Sequence, residues 1–316
     1  MATFSTVMIV DILGWLPTKT LLHFKCVSKP WSSLIRDSDF VKLHLHNSFK
    51  TNANTKLILD GRTEDDEYKT YSIDFDSLGN LEELSRPCSI AKFGVSSRIF
   101  GSCNGLLAIF HDEAGFALWN PSTRTCHHLP KLTIGDVFDR DYENILGFGY
   151  NATGNDHKVV QMRPRNENGN GRLIFGLDLG AEEFHQVPES DISYRNFWYR
   201  SVGVLARNLC VFREYDDKDD VILWVMKEYG VKESWTEVAA LSREEWWQPG
   251  FFYTRAIAYS RRGDRLLLED GARPRQPAWF NLEKKTREIL DVSGASKHFA
   301  AMVYVESLVS PVPIHQ

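Results

Sequence analysis

Cysteine is scarce and scattered. The five residues Cys26, Cys88, Cys103, Cys126 and Cys210 are odd in number and never spaced C-x-x-C. This pattern excludes a disulfide framework and fits reduced thiols in the cytoplasm or nucleus. The N-terminus lacks a basic n-region and a small-residue cleavage site, so no secretory leader is expected. The longest notable apolar run, Val221 to Met226, is far too short to span a bilayer, and no membrane partner is expected. No P-loop or G-x-S-x-G elbow is present, and Gly147-x-Gly149 lacks the third glycine and following helix of a dinucleotide site. His127-His128 and His44-x-His46 have no cysteine or carboxylate at ligand spacing, and adjacent residues of a strand face opposite sides. With no basic stripe either, nucleic acid is not an expected partner. The expectation is a non-catalytic chain with no metal and no cofactor.

What is present is an ordinary globular composition: 316 residues, 43% apolar and 25% charged. That length accommodates one small and one large domain. Aromatics at 12%, with nine tryptophans, lean toward pleated surfaces. The net charge of −5 is uneven: residues 1–50 hold six Lys/Arg against three Asp/Glu, so the head is about +3 and the rest about −8. A basic head favours an acidic partner surface, weakly.

Residues 6–46 read as three or four short helices. Thr6 is placed to cap the first, which carries Val7, Ile9, Val10, Ile12, Leu13 and Leu16. Pro17 stops it, because an interior proline clashes with the preceding turn. Thr18 stands where the next cap belongs, Ser28 caps a third helix with Pro30 in its first turn, and Asp37 or Ser38 caps a fourth. About forty residues this rich in large apolar side chains bury too little surface to stand alone, so a partner surface is expected.

The order ILGWLPTKTLLHFKCVSKPWSSLIRDSDFVKLH strongly resembles the F-box in its plant form. The resemblance is carried by Ile12, Leu13, Leu16, Pro17, Phe24, Cys26, Val27, Ser28, Lys29, Trp31, Leu34, Ile35, Phe40 and His44. It implies docking on the Skp adaptor of a cullin–RING ubiquitin ligase, with Ile12, Leu13, Leu16, Pro17, Leu21, Val27 and Trp31 as adaptor-binding residues. One departure stands out. F-boxes usually open with Leu-Pro about eight residues before the Ile-Leu pair, and here that spacing lands on Phe4 and Ser5. Part of the adaptor contact is then expected to be weakened or replaced.

Residues 47–56 are polar and aperiodic and read as a linker. Beyond them a strand, an Asp/Asn-centred turn and a second strand recur in 71–84, 116–130, 173–188, 221–238 and 278–290, every 45 to 60 residues or so. A hairpin repeating at that period reads as a β-propeller, blade by blade, although a β-sandwich of irregular hairpins fits the same pattern. Trp119, Phe175, Trp224 and Trp279 occupy roughly equivalent positions and read as packing between blades.

The phrases GSCNGLLAI, LWNPSTR, GFGYNATGNDHKVV, FGLDLGAEEF, LWVMKEYGVKESWTEV and YVESLVSP resemble the F-box-associated interaction domain of plant F-box proteins, over residues 57–311. The expected layout is an F-box over 1–46, the linker, a β-propeller-like domain over 57–311 and a tail over 312–316. In that family a further hairpin and strand precede the segment resembling FGLDLGAEEF, whereas here only residues 161–171 intervene. One repeat, roughly 45 residues, is missing, which predicts either five blades or a strained, partly open ring.

The resemblance implies a substrate-recognition subunit of a Skp–cullin–F-box ligase, binding a target protein through the β-domain. Trp, Tyr and Arg are the types enriched at binding hot spots, and Arg195, Trp198, Tyr199, Trp246, Trp247 and Phe251 are the candidate target-binding residues. The competing reading is that these rings wedge between blades. The acidic runs 64–67 and 216–220 read as solvated loops. The other reading of the chain is a freestanding protein- or glycan-binding β-domain, or a decayed paralogue, outside any ligase.

Overall fold

The computed structural model describes residues 6–52, 54–63, 65, 67–77, 80–87, 97–111, 115–129, 146–151, 156–164, 172–189, 197–215, 220–242, 254–269, 277–290, 292 and 299–312. Four helices come first: α1 (Thr6–Leu13), α2 (Thr18–Phe24), α3 (Lys29–Arg36) and α4 (Ser38–Thr51). Ser28 caps α3 by accepting from the Trp31 amide at 3.3 Å, and Pro30 lies in its first turn. Asp37 caps α4 by accepting from the Asp39 and Phe40 amides.

Two expectations need correction. Pro17, extended at φ −58° and ψ 144°, takes the cap position of α2 without a side-chain bond. Thr18 is instead the first helical residue, buried, and its hydroxyl donates to the Glu306 carbonyl at 3.1 Å. Residues 47–51, read as linker, are the last turns of α4. Their polarity is spent inside the head: Asn47 Nδ2 donates to the Gly14 carbonyl at 3.0 Å, and Ser48 Oγ accepts from Asn54 Nδ2 at 2.8 Å.

Among the described residues twenty strands follow, in five sheets of four. Blade 1 is β1 (Thr55–Arg62), β2 (Tyr68–Asp74) and β3 (Glu82–Glu83), completed by the last strand of the chain. Blade 2 holds β4 (Ser97–Cys103), β5 (Leu106–His111), β6 (Gly115–Asn120) and β7 (Thr125–His128). Blade 3 holds β8 (Leu146–Asn151), β9 (Asp156–Pro164), β10 (Arg172–Asp178) and β11 (Glu183–Gln186). Blade 4 holds β12 (Phe197–Leu205), β13 (Asn208–Tyr215), β14 (Asp220–Met226) and β15 (Trp235–Ser242). Blade 5 holds β16 (Arg255–Tyr259), β17 (Arg265–Glu269), β18 (Pro277–Asn281) and β19 (Arg287–Ile289). β20 (Phe299–Val305) pairs antiparallel with β1, from Thr55 opposite Val305 to Gly61 opposite Phe299. The repeating hairpin of the sequence is the outer strand pair of every blade, and four-stranded sheets of this order replace the sandwich alternative.

Each of the five blade interfaces has its own apolar cluster. The middle strands show why. Leu266, Leu267 and Leu268 are all fully buried, and they alternate: 266 and 268 face blade 4, while 267 faces blade 1. A strand covered on both sides reads as a continuous apolar run. Trp119 packs in the blade 1–2 cluster, and Trp224 and Trp279 lie against the blade 3–4 and blade 5–1 clusters.

Loss of a repeat has left a closed ring of five blades. The inner strands β20, β4, β8, β12 and β16 touch their neighbours around the full circle. Five strands round a narrow axis must approach closely, and the inner positions are small: Gly101, Gly147, Gly203, Ala256 and Ala301. A Cβ at Gly101 would lie 2.6 Å from Phe148 Cβ and 3.0 Å from its amide nitrogen. Gly101→Ala is therefore expected to lower unfolding stability by about 3 kcal/mol, the upper range for overpacking. Urea denaturation tests this, and an unchanged midpoint would refute the close-approach account.

Candidate functional site

The head's core is Leu13, Leu21, Ile35 and Phe40, joined by Leu308 from the far end of the chain. Phe24 and Trp31 pack at its edge with ring centroids 5.3 Å apart. Of the residues the resemblance assigns to an adaptor, Leu13 and Leu21 lie inside this core, 2% and 0% exposed. Leu16 and Trp31 are half-buried against it, and Pro17 is exposed. Ile12 and Val27 face solvent, 56% and 62% exposed.

Among the described residues eight large apolar side chains are exposed, and five belong to the head: Val7, Met8, Ile12, Trp15 and Val27. Met8, Ile12 and Trp15 follow at steps of four and three, the spacing of one helical face. Scattered exposed apolar groups are normal, but this concentration makes the head a candidate docking surface. Sequence reading passed over Met8 and Trp15. A helical wheel of α1 with Leu13 turned inward turns Met8 outward, and Trp15 follows in the turn after the helix.

The head is fastened to the propeller by residues 306–309. Glu306 donates its amide to the Asn54 carbonyl at 2.9 Å and accepts from Thr18. Asn120, fully buried, donates through Nδ2 to the Ser307 and Val309 carbonyls at 3.1 and 2.8 Å. Its Oδ1 accepts from the Ser122 amide and the Tyr304 hydroxyl. Ser307 Oγ donates to the Asn104 carbonyl at 3.0 Å. At the other side of the junction the Arg207 guanidinium sits 4.8 Å above the Phe49 ring of α4.

The N-terminal helices match the F-box domain over residues 4–43. The head is an F-box domain. F-box protein CPR1 of Arabidopsis thaliana is 29% identical over 385 aligned positions, covering 98% of this chain and 89% of the relative. A second Arabidopsis F-box protein is 25% identical over 98% of this chain and 90% of its own length. An Arabidopsis F-box/kelch-repeat protein is 24% identical over 74% of this chain and 78% of its own. Since 98% of 316 residues is about 310, roughly 75 of the 385 positions aligned with CPR1 have no residue here. That internal shortfall accords with a propeller that has lost a repeat.

The F-box occupies one rim of the ring. All inner strands run toward it, since the Ala206–Arg207 turn after β12 and Asn104 after β4 both meet the head or its fastening strap. The blade-to-blade connections therefore start and finish at the opposite rim. Of the target-binding candidates, Trp198 and Tyr199 lie at the beginning of β12, at that remote rim. Arg195, Trp246, Trp247 and Phe251 lie outside the described residues.

Two histidines whose surroundings disfavour protonation, His44 buried and His157 partly buried, are expected to make the fold acid-sensitive. His157 stacks on Phe148 at 5.3 Å in the blade 2–3 interface, and its Nε2 has no hydrogen-bond partner. Burial pushes its pKa down to about 4, against the opposing charge of Asp156. His44 in the F-box, donating to the Leu16 carbonyl at 2.9 Å, is also lowered by burial. Between pH 6.5 and about 4 the unfolded chain binds a proton that folded His157 refuses, so stability is lost as pH falls through that window. The contribution of His157 is on the order of 3 kcal/mol. Melting from pH 7.5 to 4.5 should therefore fall more steeply for the parent than for His157→Gln; equal slopes would refute the assignment.

Proposed function

We propose that this chain is the substrate-recognition subunit of a Skp–cullin–F-box ubiquitin ligase. The F-box holds a Skp-type adaptor, and through it the cullin and RING subunits, while the remote rim of the propeller holds a target protein for ubiquitination. The observation that carries this reading is that Val7, Met8, Ile12, Trp15 and Val27 are left exposed on an F-box. On this reading no residue here performs chemistry. The chain acts by raising effective concentration and fixing orientation. Cys26, Cys103, Cys126 and Cys210 form no disulfide among the described residues, which accords with work in the cytoplasm or nucleus.

Co-expression with a plant Skp adaptor, followed by size-exclusion chromatography and calorimetry, tests the reading. A one-to-one complex is the expected result. No complex, from a chain that still melts cooperatively, would overturn it. That outcome would favour a freestanding binder, the reading the Phe4-Ser5 departure from Leu-Pro supports.

A further inference from the structure

The axis of the ring is not filled. A cavity of about 440 Å³ lies between the five inner strands and the end of α4. That volume is in the range of small-molecule sites. Its lining is mainly apolar, with the partly exposed Phe75, Val204, Ala258, Tyr259 and Val303 among it, and includes the polar groups of Asn52, Ser102 and Ser260. Three arginines border it, and two are spent. Arg255 pairs with Glu269 at 2.7 Å and donates to the Ala301 carbonyl at 2.9 Å. Arg261 pairs with Asp76.

Arg207 differs. Among the described residues no carboxylate lies within ion-pair distance of it, and its guanidinium rests on Phe49, which also lines the cavity. The turn that presents it is conformationally costly. Ala206 and Arg207 both have positive φ, 48° and 71°. In blade 2 the same two-residue turn is Asn104-Gly105, at 52° and 77°, the pair such turns favour. Blade 4 thus keeps an unfavourable turn that sets a lone cation beside an apolar cavity.

We propose that this cavity binds an organic acid with an apolar body, its carboxylate held by Arg207. A single unpaired guanidinium matches a monoanion, and its planar fork matches a carboxylate. Because Phe49 belongs to the F-box helix α4 and Arg207 to blade 4, the bound acid braces the head against the ring. This inference does not depend on ligase assembly.

The test is calorimetry on the full chain with dodecanoate, below its micellar concentration, and with 2-naphthoate. At least one should bind saturably at one site. Arg207→Gln should weaken that binding at least tenfold, and the neutral alcohol of the same body should bind at least tenfold more weakly. The double variant Ala206→Asn, Arg207→Gly should lose binding yet melt at a higher temperature than the parent when no acid is present, a result that loss of a merely structural arginine would not give. Saturable binding by neither acid overturns the proposal. So does equal binding of acid and alcohol, or undiminished binding by Arg207→Gln.

Discussion

Replacing Ile12 and Trp15 together by glutamate is expected to abolish co-elution with a Skp adaptor and leave the melting of the chain unchanged. Both side chains are more than half exposed, so the folded head loses little when they become polar. In a complex they would lie in the apolar centre of the interface, where a truncated hot spot costs about 2 kcal/mol or more. Two buried, unpaired carboxylates add a desolvation penalty on top. A combined loss of about 4 kcal/mol weakens binding roughly a thousandfold. Leu21→Ala is the instructive contrast. Leu21 is fully buried, and its truncation should cost about 2–5 kcal/mol of stability, so any binding loss would come through unfolding of the head. Normal co-elution of the Ile12, Trp15 variant would remove this surface from the adaptor contact.

This division between face and core is where sequence reading stopped. The helices were legible because punctuation fixes them: Pro17, Ser28 with Pro30, and Asp37 each act within a few residues. The propeller was legible for a related reason, since a hairpin recurring at a steady period has few other homes. What pattern did not reveal was the destination of individual side chains. Leu13 and Ile12 are neighbours of like chemistry, yet one is buried and the other exposed. Thr18 looked like a cap because its neighbours fit one, but its hydroxyl is claimed by Glu306, 288 positions away. Asn47 and Ser48 looked like linker for the same reason: a polar residue whose partner is distant in sequence is indistinguishable from one facing water. Closure of the ring was equally non-local. It rests on Gly101, Gly147 and Gly203 lying at matching depth on separate strands.

Ending the chain after Val305 is expected to have the widest consequence of any change considered. β20 would keep its pairing with β1, so blade 1 would still have four strands. The head, however, would lose Leu308 from its core and the Glu306 partners of Thr18 and Asn54. In blade 2, Asn120 would lose the Ser307 and Val309 carbonyls that accept from its amide group, together with the segment that covers it. A hydrogen bond exchanged for one to water costs about 0.5–1.5 kcal/mol, and loss of a buried leucine about 2–5. The shortened chain should therefore melt well below the parent, and limited proteolysis should cut first between the F-box and β1, near Asn52 to Thr55. Leu308→Ala should reproduce the proteolytic cut and the larger share of the loss in melting temperature, and Asn120→Ala a smaller share without the cut, which separates the head's contribution from the ring's. The functional stake is orientation. The chain enters the propeller from α4 and leaves it through residues 306–309 at the same rim, so the F-box is held at two points rather than swinging on one. If that is what aims a bound target, Leu308→Ala should preserve adaptor binding by the part of the head that stays folded, yet broaden the angle between head and ring, seen by small-angle scattering as a larger radius. An unaltered radius and protease pattern would mean that the single covalent connection suffices.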